Sequence, residues 1–250
     1  MKAVHTNSIH IKLAIFLFAL VIISGCKKDE EKEIPVYETG TMTDVEGTVY
    51  RTIKIGNHWW MAENLKVKRY RDSSFIQQGS SDTLVWRQDT EGLYCGYDNN
   101  DGNAPQYGFL YNGYVISNAH NLAPAGWHIP SDEEWKELEK RLGMSASDAD
   151  KSGWRGTHEG EKLKTADAEG WQLYGEVWPT NESGFLALAG GCRLPNGTPG
   201  QPGLHQTGFW WTQSGSLNEA CYRYLDYKNA NVFRGMCSKN YGFSVRCVKD

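Results

Sequence analysis

The chain has 250 residues, with 26 Lys and Arg against 30 Asp and Glu and a formal net charge of −4. That balance excludes a strongly basic nucleic-acid binder, and a hydrophobic share of 40% excludes a disordered chain and a polytopic membrane protein. With 27 Gly, 10 Trp and 13 Tyr, the sequence is rich in turns and rings, which argues against a helical bundle or coiled coil.

The N-terminus reads as an address. Lys2 and Lys12 accompany an apolar run from Leu13 to Ile23, LAIFLFALVII. About eleven residues are too few for a bilayer span, which takes roughly twenty, and suit the core of a signal peptide over residues 1–25. Ile23-Ser24-Gly25-Cys26 follows directly and resembles the lipobox of bacterial lipoproteins. The resemblance implies cleavage before Cys26 and acylation of its thiol and new amine, so that the membrane becomes a partner through two or three acyl chains. The alternative is an ordinary cleaved signal peptide with a coincidental cysteine. Loss of residues 1–25 leaves 24 basic against 30 acidic residues, a mature charge near −6.

Residues 26–42 read as the lipidated cysteine and a disordered tether, because Lys27-Lys28-Asp29-Glu30-Glu31-Lys32-Glu33 has no apolar side chain to bury. Acidic residues soon after such a cysteine resemble the surface-export signal of Bacteroidota lipoproteins. The expected location is the outer membrane, displayed on the cell surface, with the periplasmic face as the alternative.

Residues 43–250 show no second linker, low-complexity stretch or repeat, and fit one domain. Residues 48–55 alternate β-branched and aromatic side chains as a strand, Gly56-Asn57 is a turn, and residues 58–62 return as its partner. One helix is strongly written, over residues 131–142. Ser131 caps it with Glu134 completing a capping box, and acidic residues open the helix while Lys140 and Arg141 close it. Trp135, Leu138 and Leu142 share a face, and Gly143 terminates it. A weaker helix is expected over residues 160–166. The last fifty residues read as strands at 208–212, 220–225 and 232–234, with a turn at 228–231. The alternation of Phe243, Val245 and Cys247 with Ser244 and Arg246 predicts a half-buried final strand.

Past Cys26 there are five cysteines, Cys95, Cys192, Cys221, Cys237 and Cys247, enough for at most two bridges. Export permits disulfides, and a hairpin turned at 228–231 sets Cys221 nearly opposite Cys237, the preferred pair. The alternative is five free thiols packed as small hydrophobes. No CxxC, HExxH or zinc-type spacing is present, and the histidines are scattered, so no metal or cofactor is expected. The oxygen-rich stretch 98–103 makes Asp98, Asn100 and Asp101 weak calcium candidates. It fails the EF-hand spacing, which would place Tyr97 at the first position and Gly108 at the twelfth, and an Asn/Asp/Gly turn is the default.

No nucleophile elbow, Walker loop or dinucleotide fingerprint occurs, so a non-catalytic module is expected, with an enzyme whose site a single sequence does not reveal as an alternative. The pairs Trp59-Trp60 and Trp210-Trp211 are candidate ligand-binding plates. On a strand, one member of each pair can enter the core while the other faces outward; the alternative is that both are buried between layers.

Several ordered motifs, Asp44–Tyr50, Ile53–Leu65, Tyr107–Asn112, Ala125–Trp135, Gly184-Phe185, Gly190-Gly191, Trp210-Trp211 and Tyr241–Val248, together resemble the Fibrobacter succinogenes major paralogous domain. That domain is common in lipoproteins of Bacteroidota and Fibrobacterota. The resemblance covers about residues 44–250 and implies a relative of the C-type lectin-like folds, including the formylglycine-generating enzyme group. The implied fold is a single α+β domain with one or two helices and a twisted, antiparallel, loop-rich sheet. The sequence lacks the Trp-Asn-Asp motif of calcium-dependent lectins, and Cys237 and Cys247 lie too far apart in sequence for the close copper-binding cysteine pair of the oxidase group. The resulting expectation is a lipid-anchored envelope module that binds a glycan or protein partner, or a structural envelope component without a small ligand.

Overall fold

In the computed structural model, residues 37–167 and 170–250 are described. Cys26, the signal peptide and most of the tether lie outside the described residues. The paired structure begins upstream of residue 43, because Thr39–Thr43 is already a strand.

The chain opens with strands β1 (Thr39–Thr43), β2 (Val49–Ile55) and β3 (His58–Met61), followed by β4 (Gln77–Gln78), helix α1 (Thr83–Gln88) and β5 (Leu93–Cys95). Helix α2 (Ala104–Tyr107), β6 (Leu110–Asn112), helix α3 (Gly113–Ile116), β7 (Trp127–His128), helix α4 (Asp132–Arg141) and helix α5 (Ala146–Ala149) come next. Strand β8 (Gly153–Arg155), helix α6 (Glu159–Leu163), β9 (Thr207–Gly215), β10 (Glu219–Asp226), β11 (Val232–Ser238), β12 (Gly242–Phe243) and β13 (Val248–Lys249) complete it. The sheets have the orders β1-β2-β3-β13-β7, β8-β11-β10-β9 and β12-β6-β5-β4. The named strands pair antiparallel, except β4 with β5. The fold is mixed α+β, with short helices and several sheets.

Local signals explain the best-formed parts. Gly56 takes a φ of 62° between β2 and β3, where Ile55 pairs with His58, so the tight turn needs the residue that reaches the left-handed region freely. The capping box of α4 is complete: Ser131 Oγ accepts from Glu134 N at 3.2 Å, and Glu134 Oε2 accepts from Ser131 N at 2.7 Å. Helix α6 stops at Leu163 because Lys164 turns extended, short of the expected end at 166.

The final segment departs from expectation. Residues 242–248 are buried throughout, including Ser244 and Arg246, so the stretch is no half-buried strand. It threads between sheets, contributing β12 to one and β13 to another. Its polar side chains meet partners there. Asn64 meets two of them among its four hydrogen bonds: its amide nitrogen donates to Tyr107 O (2.8 Å) and Ser244 Oγ (3.2 Å), and its Oδ1 accepts from Trp210 Nε1 and Arg246 Nε, each at 2.9 Å. Nearby, α4 packs Trp135 edge-on against Trp60 and Phe185, with ring centroids 5.2 and 5.5 Å away.

Candidate functional site

The sheet β8-β11-β10-β9 has two chemically different faces, and the period of two along each strand creates them. On β10, Cys221, Arg223 and Leu225 point one way and Tyr222 and Tyr224 the other. The first face packs on α4 and carries a buried ionic network. Arg223 bonds Asp132 Oδ1 at 2.8 Å and Glu139 Oε1 at 2.7 Å, Arg234 bonds Asp132 Oδ2 at 2.7 Å, and Arg155 pairs with Glu139 at 2.7 Å. Two-point ionic contacts from β10 and β11 to one helix fix the sheet's position.

The second face is aromatic. Register sets Trp154 opposite Phe233, Phe233 opposite Tyr224, and Tyr224 opposite Phe209, one ring from each of four strands. Consecutive centroids lie 5.4, 6.0 and 4.3 Å apart. Behind this row, Tyr222 and Phe243 continue the apolar floor, their centroids 5.2 Å apart. Trp154 is 39% exposed, and Phe209, Tyr222, Tyr224 and Phe233 are half-buried, so the row keeps open ring surface. Gly235 stands opposite Tyr222. A Cβ there would come within 2.8 Å of Phe233 and 3.1 Å of Tyr222, so glycine leaves the rings their room.

A groove of about 230 Å³ runs over this face, bounded by Phe209, Tyr222, Tyr224, Tyr241, Phe243 and Gln201, with the thiols of Cys192 and Cys237 in its wall. None of its lining side chains is a carboxylate, an imidazole, an amine or a guanidinium. Burial pushes the Cys192 thiol up to about 12 and the Tyr222 phenol up to about 12, and it raises Cys237 and Tyr224 as well. These groups therefore stay protonated and uncharged near neutral pH. Tyr224 Oη donates to Asp226 Oδ2 at 2.5 Å. The hydroxyls of Tyr222 and Tyr241 have no hydrogen-bond partner among the described residues and remain available to a ligand.

The tryptophans singled out from sequence are elsewhere. Trp60, Trp210 and Trp211 are at most 1% exposed, and Trp59 is half-buried against the core. The adjacent pair on β9 is covered on both sides because the strand lies between layers, and both indoles donate inward: Trp210 Nε1 to Asn64, and Trp211 Nε1 to Tyr111 O at 2.8 Å. These three are not ligand plates. The rings that form the open face, Phe209, Tyr222, Tyr224, Phe233 and Trp154, were not singled out. The sequence carries part of their signal, the i, i+2 spacing of Tyr222 and Tyr224, but not the register that sets Phe233 across from Tyr224.

The Cys221–Cys237 bridge is likewise corrected. The observed register pairs Cys221 with Met236 and Cys237 with Ala220, one residue out of step. A single-residue offset sends the two side chains to opposite faces. Cys221 donates to Asp132 on the α4 side at 3.2 Å, whereas Cys237 lines the groove. Cys95, Cys192, Cys221, Cys237 and Cys247 are free thiols. The calcium candidates also part company. Asp101 bonds Gln78 at 3.1 Å and meets Lys68 at 3.4 Å, Asn100 caps Gly102 N at 2.9 Å, and Asp98 is exposed. Among the described residues no three His, Cys, Asp or Glu side chains gather as a metal site.

Fold and face together define a mixed α+β domain with an uncharged aromatic groove on one sheet. The model of the Fibrobacter succinogenes major domain matches residues 53–249, and the chain belongs to that family. Comparisons with curated proteins and with solved structures gave no match.

Proposed function

We propose that this protein is a non-catalytic, lipid-anchored envelope module that binds a neutral glycan on the aromatic face of β8-β11-β10-β9. The observation that carries the reading is the cross-strand row Trp154–Phe233–Tyr224–Phe209, with open ring surface and no charged side chain in the adjoining groove. Sugar rings present apolar C–H faces and peripheral hydroxyls. Flat rings suit the former, and the phenols of Tyr222 and Tyr241 with Gln201 suit the latter. The protonated thiols and phenols support a binding surface, because a nucleophile needs a lowered pKa or an adjacent base.

The anchor is proposed from Lys2 to Cys26, and display on the outer surface from the acidic residues after it. A C-type lectin-like assignment is proposed on the family resemblance together with the antiparallel sheets around one well-formed helix. The test is a glycan array with the full-length protein in detergent, followed by calorimetry on the neutral glycans retained. Binding lost on Tyr224→Ala, in a variant that still unfolds cooperatively above the assay temperature, supports the reading, and an array with no hit removes it. Mass spectrometry of the mature N-terminus tests the anchor separately: an unmodified Cys26 removes the lipoprotein assignment.

A further inference from the structure

Lys239 and Tyr241 flank Asn240 on one turn, and while Tyr241 borders the aromatic groove, Lys239 lines a different cleft. That cleft has a volume of about 610 Å³, inside the range of roughly 300–1,000 Å³ usual for small-molecule sites. We propose that this second cleft, walled by Glu91, Tyr114, Asn118, Leu217, Asn218 and Lys239, binds the carboxylate of an acidic sugar, with Lys239 as the cation that receives it.

Lys239 is only 7% exposed, and lysine is almost never that buried without a counter-charge. Its ammonium makes one hydrogen bond, to Ser117 Oγ at 3.0 Å, and among the described residues it has no ion pair. An ammonium has three donors, so two remain for an incoming acceptor. Burial lowers its pKa, and no neighbouring carboxylate pulls it back up.

The backbone holds this lysine in place. Lys239 O accepts from Gly113 N at 2.6 Å, and Lys239 N donates to Asn218 O at 2.9 Å. A Cβ on Gly113 would lie 2.5 Å from Lys239 Cγ and 2.7 Å from its Cα. Glycine at 113 is therefore the residue that lets the lysine stem lie along the start of α3 and deliver its head to Ser117. Such a preset cation spends no side-chain freedom on binding.

The surrounding groups select the ligand. Glu91 is exposed on the rim and forms no ion pair with Lys239, and His120 is engaged with Asp72 at 2.5 Å. With a single lysine and no arginine among the lining residues, the cleft matches a monoanion better than a phosphate dianion, which favours a bidentate or multiple-cation clamp. The neutral wall of Thr90, Tyr114, Asn118 and Asn218 offers hydroxyl and amide partners for sugar hydroxyls, and Leu217, 83% exposed, offers an apolar contact for a ring face. Asn118 is itself oriented by donating to Glu91 O at 3.0 Å.

The site stands apart from the aromatic groove, and its test separates the two. Full-length protein in detergent is titrated calorimetrically with methyl β-glucuronide, methyl β-glucoside and N-acetylalanine. The glucuronide is expected to bind saturably, and the other two about tenfold more weakly or worse. Lys239→Met is expected to lower glucuronide affinity about tenfold or more, while Tyr224→Ala leaves it unchanged. If Lys239→Met does not fold, Asn118→Leu is expected to weaken glucuronide binding about fivefold in a variant that still unfolds cooperatively. Absent saturable binding, equal affinity for the glucoside or N-acetylalanine, unchanged affinity in the Lys239 or Asn118 variant, or glucuronide binding lost in Tyr224→Ala each overturns the proposal.

Discussion

Phe209 and Tyr224 lie flat against one another across the β9–β10 ladder, with ring centroids 4.3 Å apart and planes 4° from parallel. The tie from Tyr224 Oη to Asp226 Oδ2 holds the tyrosine ring in that plane. Stacked aromatic pairs contribute about 0.5–1.5 kcal/mol beyond the area they bury. A double-mutant cycle with Phe209→Ala and Tyr224→Ala, read by urea denaturation, is expected to return a coupling in that range. Additive single effects would mean that the two rings do not support each other.

Gly235 is the gap in the same face. Its added Cβ would press on Phe233 and Tyr222 at 2.8 and 3.1 Å, so Gly235→Val must displace a ring or the strand. Overpacking of this kind costs about 1–3 kcal/mol. The variant is expected to melt earlier than the native protein and to lose affinity for any glycan retained on the array. A variant of native stability and native affinity would show that the rings move aside freely.

The capping box, the β2–β3 hairpin and the β10–β11 turn were legible in the sequence because each rests on contacts within a few residues. The motifs shared with the family were legible too, but their residues meet in the interior: Asn64, Tyr107, Ser244, Trp210 and Arg246 converge through side-chain hydrogen bonds. Those motifs therefore describe how the core closes. The candidate groove was not legible, since Phe209, Tyr222, Phe233 and Trp154 share a face only after four strands adopt their registers. The bridge expected between Cys221 and Cys237 failed on the same quantity, a register offset of one residue that no local signal fixes. Burial of Trp210 and Trp211 together followed from layers on both sides of β9, a tertiary fact.

Two groups at α4 give stability opposite pH slopes. Burial alone would raise the Asp132 carboxyl, but the hydrogen bond from Arg234 and the charge of Arg223 outweigh it and hold the group well below the usual range. Its contribution is complete above the unfolded value of about 3.9 and is lost as pH falls through the depressed folded value. At His128, burial disfavours the charge, but hydrogen bonds with Asp250 and Glu134, each at 2.7 Å, raise the pKa. That contribution is complete below about pH 6.5 and is lost as pH rises through the folded value. Urea midpoints are expected to peak at mildly acidic pH. Asp132→Asn should cost about 3–5 kcal/mol at neutral pH and flatten the acid limb, because it removes the carboxylate that Arg223 and Arg234 share. His128→Gln should flatten the limb above neutrality. An acid limb unchanged in Asp132→Asn would contradict the assignment.

Arg246 is completely buried with no ion-pair partner among the described residues, and backbone oxygens do the work of a carboxylate. Its guanidinium donates to the carbonyls of Met61 (3.3 Å), Phe185 and Leu186 (2.8 Å), and it lies 4.1 Å over the Phe185 ring. Burial pushes its pKa down to about 9, so it remains a cation at neutral pH. Leu186 has a φ of 56°, a left-handed conformation that a leucine avoids, and the bond from Arg246 to its carbonyl helps to hold it there. Replacing a buried charge by an apolar side chain is often harmless when both partners leave. Here three of the acceptors are main-chain carbonyls, which cannot leave, and the fourth is Asn64 Oδ1; each one stranded costs about 1–3 kcal/mol. Arg246→Met is therefore expected to lose several kcal/mol, a large part of the roughly 5–15 kcal/mol that holds a domain together. Arg246→Lys, with fewer donors on a single nitrogen, should fall between the two. Urea denaturation of the three proteins gives the order directly, and a methionine variant as stable as the native chain would show that the carbonyls find other donors.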